Sequence, residues 1–449
     1  MLLDDLKTVK ERSRSMDFFS FVLLNFLLLV RPEDLFPPIA GFRLYLIVII
    51  VCTITSIPGL VRTFDRDSIQ TRPIVVCVLG LLFATLASFL ARGRLFDGLD
   101  FTIEFGKVIL YFCLLVSVVN TEDRLRSFVR YVALFIVAVA GISLCQHFEV
   151  VEFPGLEPVK QWAYDEAAGE EVMIDRVVSV GLFADPNDLC VMIAFGMVLC
   201  VGLAMSSQDA IGKLGWLLLL APLAYTCFLT KSRGGMLAIL AGVGGTAFVR
   251  LGYRRSIPAV AVAVPILLLG ITGRQSGGGN GGTAHERLML WAHGLGELFR
   301  MPFHLVTGLA PGFYVEEFGQ LAHNSYVNAY VELGILGGGF FFGAFYYAIR
   351  MSYSAARDAG APPWAVALGP YLFGAVCAYA VGCYSLTRNF HLPTYLALGL
   401  MAAYVNLARP IPDPRYWVDG VWWKRLVVIS VVGLVTLKYA TQLLGNLGV

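Results

Sequence analysis

Charge is what this sequence has least of. Asp, Glu, Lys and Arg make up 15% of its residues against 57% that are hydrophobic, and mean hydropathy is +0.71. That balance excludes an ordinary soluble domain, in which about a quarter of residues are charged. Histidine is scarce, with six in the chain, and no His/Cys/carboxylate cluster shows metal-ligand spacing, so no metal or other cofactor is expected. The nine cysteines lie inside or at the ends of apolar runs and read as small packing residues, not as a disulfide framework. Asp65-Arg66-Asp67 matches a DxD pattern formally, but no nucleotide-binding fold surrounds it, and it reads as a juxtamembrane charge cluster. No internal repeat is evident. No small-residue cleavage site follows Phe18–Val30, so the basic stretch with Lys7, Lys10, Arg12 and Arg14 reads as a cytoplasmic flank and not a cleaved signal.

Apolar runs are what the chain has in abundance. A helix needs about 20 apolar residues to cross a hydrocarbon core of ~30 Å. Such runs are expected near 17–30, 42–58, 73–91, 105–119, 127–145, 187–205, 214–230, 234–250, 257–272, 331–350, 363–385, 392–407 and 425–443. The first is short, and the last also suits a re-entrant or surface helix. The expected architecture is therefore all-α, a polytopic membrane domain of about 12–13 helices spanning 1–449. The short loops on the N-terminal side carry Arg62, Arg66, Arg72, Arg124, Arg126, Arg130, Lys213, Arg250, Arg254, Arg255, Arg350, Arg357, Arg409, Arg415, Lys424 and Arg425, which places that side in the cytoplasm. Two long loops, 146–186 and 273–330, then fall outside. The first is acidic, and the second opens on the flexible glycine-rich stretch 276–282. The net charge of +2 is thus a signature of topology and gives no reason to expect nucleic acid as a partner.

Basic residues on the outer side are the exceptions, because orientation does not call for them. They are Arg176 before the sixth span, Lys231 and Arg233 in a very short turn, Arg287 in the second long loop, and Arg388 with His391 in another short turn. Each alone also fits a side chain snorkelling to lipid headgroups. Together they suit an anionic ligand, since guanidinium groups bind phosphate oxygens bidentately. Gly234 and Gly235, directly after Arg233, let a ligand or another backbone come close. Asp185-Pro186-Asn187-Asp188 reads as a helix start with Asp185 as cap. Glu33 and Asp34 follow the first span and read as a charged membrane stop.

The stretch LAHNSYVNAYVELGILGGG, 321–339, is the most informative. His323, Asn324, Tyr326 and Tyr330 stand before an apolar helix, with Glu332 at the junction. Spacings of three and four put His323, Tyr326 and Tyr330 on one helix face. A neutral imidazole at a membrane surface can take a proton from a hydroxyl; an interfacial helix with an aromatic belt accounts for the same residues without chemistry.

TKSRGGMLAIL, the later HNSYVNAYVELGILG, and the intervening RLMLW and TGLAPGFY segments resemble the O-antigen ligase and polymerase superfamily of bacterial membrane glycosyltransferases, as does RVVSVGLFADPNDL. The match runs from about Arg176 to Gly343. It implies a GT-C-like helical membrane fold in the bacterial inner membrane; other GT-C enzymes place a catalytic carboxylate in the first outer loop, sometimes with a metal, which gives Glu33 and Asp34 their alternative reading. It also implies transfer of a glycan, outside the cytoplasm and without a metal, from an undecaprenyl-diphosphate carrier to a glycan, lipid A-core or other hydroxyl acceptor. The family's catalytic histidine maps onto His323, and its diphosphate-gripping arginines onto Arg176, Arg233 and Arg287. Lys231, Arg388, Asn324, Tyr326 and Tyr330 are the further expected contacts to diphosphate or sugar. A chain-length regulator or a flippase, with membrane lipid, completes the expected partners. Direct attack on the donor predicts inversion at the sugar carbon. Other classes remain: a lipid-linked oligosaccharide transporter, which would also grip diphosphate with arginines, and a non-catalytic scaffold of polysaccharide export, which would not need His323.

Overall fold

The computed structural model describes residues 2–39, 41–153, 156–165, 170–258, 283–358, 360–409, 411 and 413–446. Within these the chain is a helical bundle, and the one sheet is a two-stranded hairpin. Ten helices are long and apolar enough to cross a membrane: Leu44–Thr63, Pro73–Ala91, Leu95–Val118, Glu122–His147, Pro186–Ser206, Ala210–Leu229, Arg233–Leu251, Ser325–Ala356, Pro363–Gly382 and Gly420–Leu444. The chain is thus an all-α polytopic membrane protein, as its hydropathy predicts. Two expected spans fall short of that standard for visible reasons. Leu2–Leu29 continues through the charged Arg12, Arg14 and Asp17, and Leu392–Ala408 has 17 residues. The span expected at 257–272 lies almost wholly outside the described residues.

Burial separates lipid-facing helices from the interior. On Leu44–Thr63 the residues Ile47, Ile50, Ile54, Ile57 and Val61 are all exposed and recur every three or four positions, which makes one continuous apolar stripe. Water would penalise such a face and hydrocarbon does not. Leu392–Ala408, by contrast, is buried over almost its whole surface, as is most of Pro186–Ser206 and Pro363–Gly382. Together with Ser325–Ala356, most of which is also buried, these helices form the centre, and the more exposed helices wrap them.

The described parts of the two long loops are folded segments. The hairpin pairs Val159–Asp165 with Glu170–Arg176 in antiparallel register, Val159 opposite Arg176. The second loop carries the helices Thr283–Arg300, Pro302–Thr307 and Phe313–Phe318. It is tied to the bundle by the bidentate Arg94–Glu316 bridge at 2.7–2.8 Å.

Ser325–Ala356 is broken at Gly334 (φ 66°, ψ −167°). The break frees the carbonyls of Val331 and Glu332, which would be costly to leave unpaired in a membrane. The loop 308–312 supplies partners. Leu309 N–H donates to the Val331 carbonyl at 2.9 Å, Ala310 N–H to that of Glu332 at 3.0 Å, and Ser88 Oγ to the latter at 2.7 Å. The backbones approach so closely that a Cβ on Gly308 would stand 2.2 Å from the Glu332 oxygen, and one on Gly334 2.3 Å from the Val306 oxygen. Both glycines also have positive φ, a conformation other residues adopt only at a cost. The Glu332 carboxylate completes the clamp, accepting from Gly312 N–H at 3.1 Å and from Asn328 Nδ2 at 2.9 Å. This packing explains the TGLAPG segment: it is the cap of a broken membrane helix.

Candidate functional site at one end of the bundle

The turn Asp185-Pro186-Asn187-Asp188 opens the central helix Pro186–Ser206. Asp185 caps it as expected, accepting from Asn187 N–H at 2.7 Å and Asp188 N–H at 3.4 Å. The other two polar side chains do more than the sequence suggests. Asn187 Oδ1 accepts from Arg176 Nη2 at 2.9 Å and from Ser232 Oγ at 2.8 Å. Asp188 forms a bidentate ion pair with Arg388, whose side chain is about one-fifth exposed. One turn thus gathers the ends of three chain segments far apart in sequence: the hairpin exit, the SRGG turn and the LTRNFH loop. Capping side chains facing one another across helix ends carry no linear signal of their partners, so sequence reasoning reached Asp185 alone.

Arg176 is buried, and its guanidinium is held in three directions. Nε donates to the Thr230 carbonyl at 2.8 Å, Nη1 to Gln161 Oε1 at 3.2 Å, and Nη2 to Asn187. None of these partners is a carboxylate, so the charge is oriented by these bonds without being neutralised by them. The second hydrogens of Nη1 and Nη2 have no partner among the described residues.

His323 precedes the broken helix; it is not part of it. Asn324 is the cap, its Oδ1 accepting from Tyr326 N–H at 3.0 Å and Val327 N–H at 3.1 Å, and the helix starts at Ser325. The expected single face of His323, Tyr326 and Tyr330 therefore does not form. His323 has φ 50°, a left-handed conformation that is uncommon outside glycine. Its neighbours impose it. Trp291 Nε1 donates to the Ala322 carbonyl at 2.6 Å, Ser325 N–H to the Cys383 carbonyl at 2.8 Å, and Ser325 Oγ to the Leu386 carbonyl at 2.6 Å. Asn389 Nδ2 donates to the Ser325 carbonyl at 2.9 Å. Strain held by so many bonds is a feature of functional positions.

The electrostatics join these pieces. Burial first, and then the nearby Arg287 charge, hold the His323 imidazole below its ordinary value of 6.5; Asp185 opposes the shift and Arg388 adds to it. Burial also lowers Arg176 and Arg287; Arg287 lowers Arg176 further, and Asp185 opposes the shift in both. Asp185 thus lies within reach of Arg176, Arg287, His323 and Arg388, and Arg287 within reach of both Arg176 and His323. Arg287 is half-buried on Thr283–Arg300 and makes no hydrogen bond or ion pair with any described residue. Three buried polar atoms in the same loops, Asn324 Nδ2, Thr387 Oγ1 and Asn389 Oδ1, have no partner among the described residues. A neutral imidazole, a guanidinium free of carboxylate partners and spare hydrogen-bond capacity can together bind an anionic, hydroxyl-rich molecule and move a proton.

The remaining expected residues lie elsewhere or do other work. Arg233 is exposed at the first turn of Arg233–Leu251, and Lys231 is half-buried with φ 50° in the turn before it. Gly234 and Gly235 give room to Ser385 and to the Cys190 sulfur, so it is protein and not a ligand that comes close there. Tyr326 and Tyr330 turn inward: their hydroxyls donate to the carbonyls of Ala380 at 2.8 Å and Ser430 at 2.9 Å, and Tyr330 is fully buried. Helix packing occupies both rings. Glu33 and Asp34 pair with their own neighbour Arg31, at 3.7 and 3.1 Å. No cluster of three or more His, Cys, Asp or Glu side chains suited to a metal occurs among the described residues.

Fold and site together define a class, a multi-pass α-helical membrane protein with a strained histidine and a gathered set of arginines at one end of its bundle. No protein-family model and no curated protein sequence matches the chain.

Proposed function

We propose that the protein is a membrane glycosyltransferase that moves a glycan from an undecaprenyl-diphosphate carrier to an acceptor hydroxyl on the outer, periplasmic face of the bacterial inner membrane. The observation that carries this reading is that a strained, neutral-leaning His323 lies within the field of Arg287, which also reaches the oriented Arg176, at one bundle end. The resemblance of the SRGG and HNSY segments to the O-antigen ligase and polymerase superfamily supports it independently.

The chemistry follows from the groups present. The acceptor oxygen attacks the anomeric carbon, a new C–O bond forms, and the bond to the diphosphate breaks with its electron pair on the leaving oxygen. His323 takes the proton from the attacking hydroxyl. Arg287 and Arg176 meet charge that grows on the diphosphate only as the bond breaks, so they lower the barrier more than they tighten ground-state binding. Arg233, exposed beside the turn whose Ser232 bonds Asn187, would meet the outer phosphate or the headgroup region. Arg388 holds the site together through Asp188. The break at Gly334 resembles the discontinuous helices of transporters. Its freed carbonyls, however, are taken by Leu309, Ala310 and Ser88, which argues against an ion path there.

The acceptor is best read as a second carrier-linked glycan, because the acidic 146–186 loop disfavours a phosphorylated core. Glycan analysis of a deletion strain complemented with wild type or His323→Ala tests the proposal. Single repeat units without long chains mean a polymerase, and long chains stranded on the carrier mean a ligase. Glycans unchanged by the deletion, in a strain without a redundant enzyme, overturn the reading.

A further inference from the structure

Cys190 and Cys227 lie on neighbouring helices, Pro186–Ser206 and Leu220–Leu229, about one turn below the end that carries the site. Both are fully buried, and their sulfurs are 2.9 Å apart. Non-bonded carbon atoms settle at about 3.5–4.0 Å, and sulfur is larger. The pair is within about 1 Å of the ~2.04 Å disulfide bond. The surroundings leave the sulfurs little other choice: Gly235 presents only backbone to Cys190, and a Cβ there would stand 2.1 Å from its sulfur. The Cys227 carbonyl accepts from Thr230 Oγ1 at 2.7 Å, and the Thr230 carbonyl in turn accepts from Arg176 Nε. Nothing in the proposed glycan transfer uses either thiol.

We propose that Cys190 and Cys227 are joined by a disulfide in the mature protein. The bond ties the two helices directly beneath the turn that holds Arg176. Two thiols lose two protons and two electrons as the S–S bond forms. The oxidant is another disulfide, that of a thiol–disulfide exchange protein outside the cytoplasm, which takes the electrons and protons and leaves as two thiols. This source of oxidant rests on the outward orientation used above. Because both sulfurs are buried, exchange precedes closure of the helices, and the finished bond is shielded from reductants.

The test is chemical and independent of any glycan assay, so its failure is distinct from failure of the transferase reading. The full-length protein is taken from native membranes, denatured without reductant, treated with N-ethylmaleimide and mapped by mass spectrometry. Cys200, equally buried but without a sulfur partner, serves as the control for exposure on denaturation. The expected result is alkylation of Cys200 and not of Cys190 or Cys227, with those two in one linked peptide that separates on reduction. In Cys227→Ala, Cys190 should become alkylated without reductant. Alkylation of all three residues in the unreduced wild-type protein overturns the proposal.

Discussion

Replacing Asp188 by Asn keeps the shape of the central turn and removes one charge. The carboxylate accepts from Nε and Nη2 of Arg388, while Nη1 is left with the Thr387 carbonyl at 3.2 Å and His391 Nε2 at 3.4 Å. Asp188 is 7% and Arg388 19% exposed at the side chain, so the guanidinium in Asp188→Asn is a largely buried charge without its partner. Breaking a buried pair from one side costs about 3–5 kcal/mol. Partial access of water to Arg388 puts the expectation at the low end, about 3 kcal/mol, or roughly a hundredfold in the folding equilibrium. Arg388→Gln alone strands the Asp188 carboxylate and should cost a similar amount. The double variant strands neither, so its cost should fall well below the sum, with a coupling of about 1.5–3 kcal/mol. Thermal unfolding of the four proteins in detergent or nanodiscs reads the stability difference. Additive costs, with coupling below about 0.5 kcal/mol, would refute the claim that this pair is a structural tie. The cycle also decides the role of Arg388. Transferase activity retained by the double variant means the arginine only holds the site, and activity lost at normal stability means it touches the substrate.

Three further outcomes follow from the same geometry. His323→Ala should lower the transfer rate by ~10²–10⁴ at normal expression, as expected for loss of a general base; full activity would remove His323 from the chemistry. The acid limb of the wild-type pH–rate profile should lie below pH 6.5, because the depressed imidazole stays neutral there and protonates only at lower pH, and Arg287→Gln should move that limb upward by removing a charge that depresses it; an unshifted limb would contradict their interaction. Gly308→Ala should give little folded protein in a membrane-extracted, size-exclusion assay, since the added methyl meets the Glu332 carbonyl at 2.2 Å in a positive-φ position; wild-type yield and stability would refute the clamp.

Much of this protein is written in one dimension. The apolar runs place most membrane helices because a bilayer requires each span to satisfy its own backbone, and that requirement is local. The helix start at Asp185-Pro186 was legible for the same reason: a cap acts on N–H groups two and three residues away. Arg176, Arg287 and Arg388 stood out in the sequence as cations off the expected basic side, and the structure brings all three near the turn at Asp185. Register and direction were not legible. The spacing of His323, Tyr326 and Tyr330 suggested a shared face, but whether the helix begins before or after His323 depends on Ser325 bonding the distant Cys383 and Leu386. The sequence by itself determined an all-helical membrane chain with a basic, histidine-bearing end. Only the tertiary structure decided that Asn187 and Asp188 gather that end, that Glu332 and two glycines clamp a broken helix, and that two of nine cysteines meet. Those outcomes depend on side chains from segments tens to hundreds of residues apart arriving at one place, which only packing specifies.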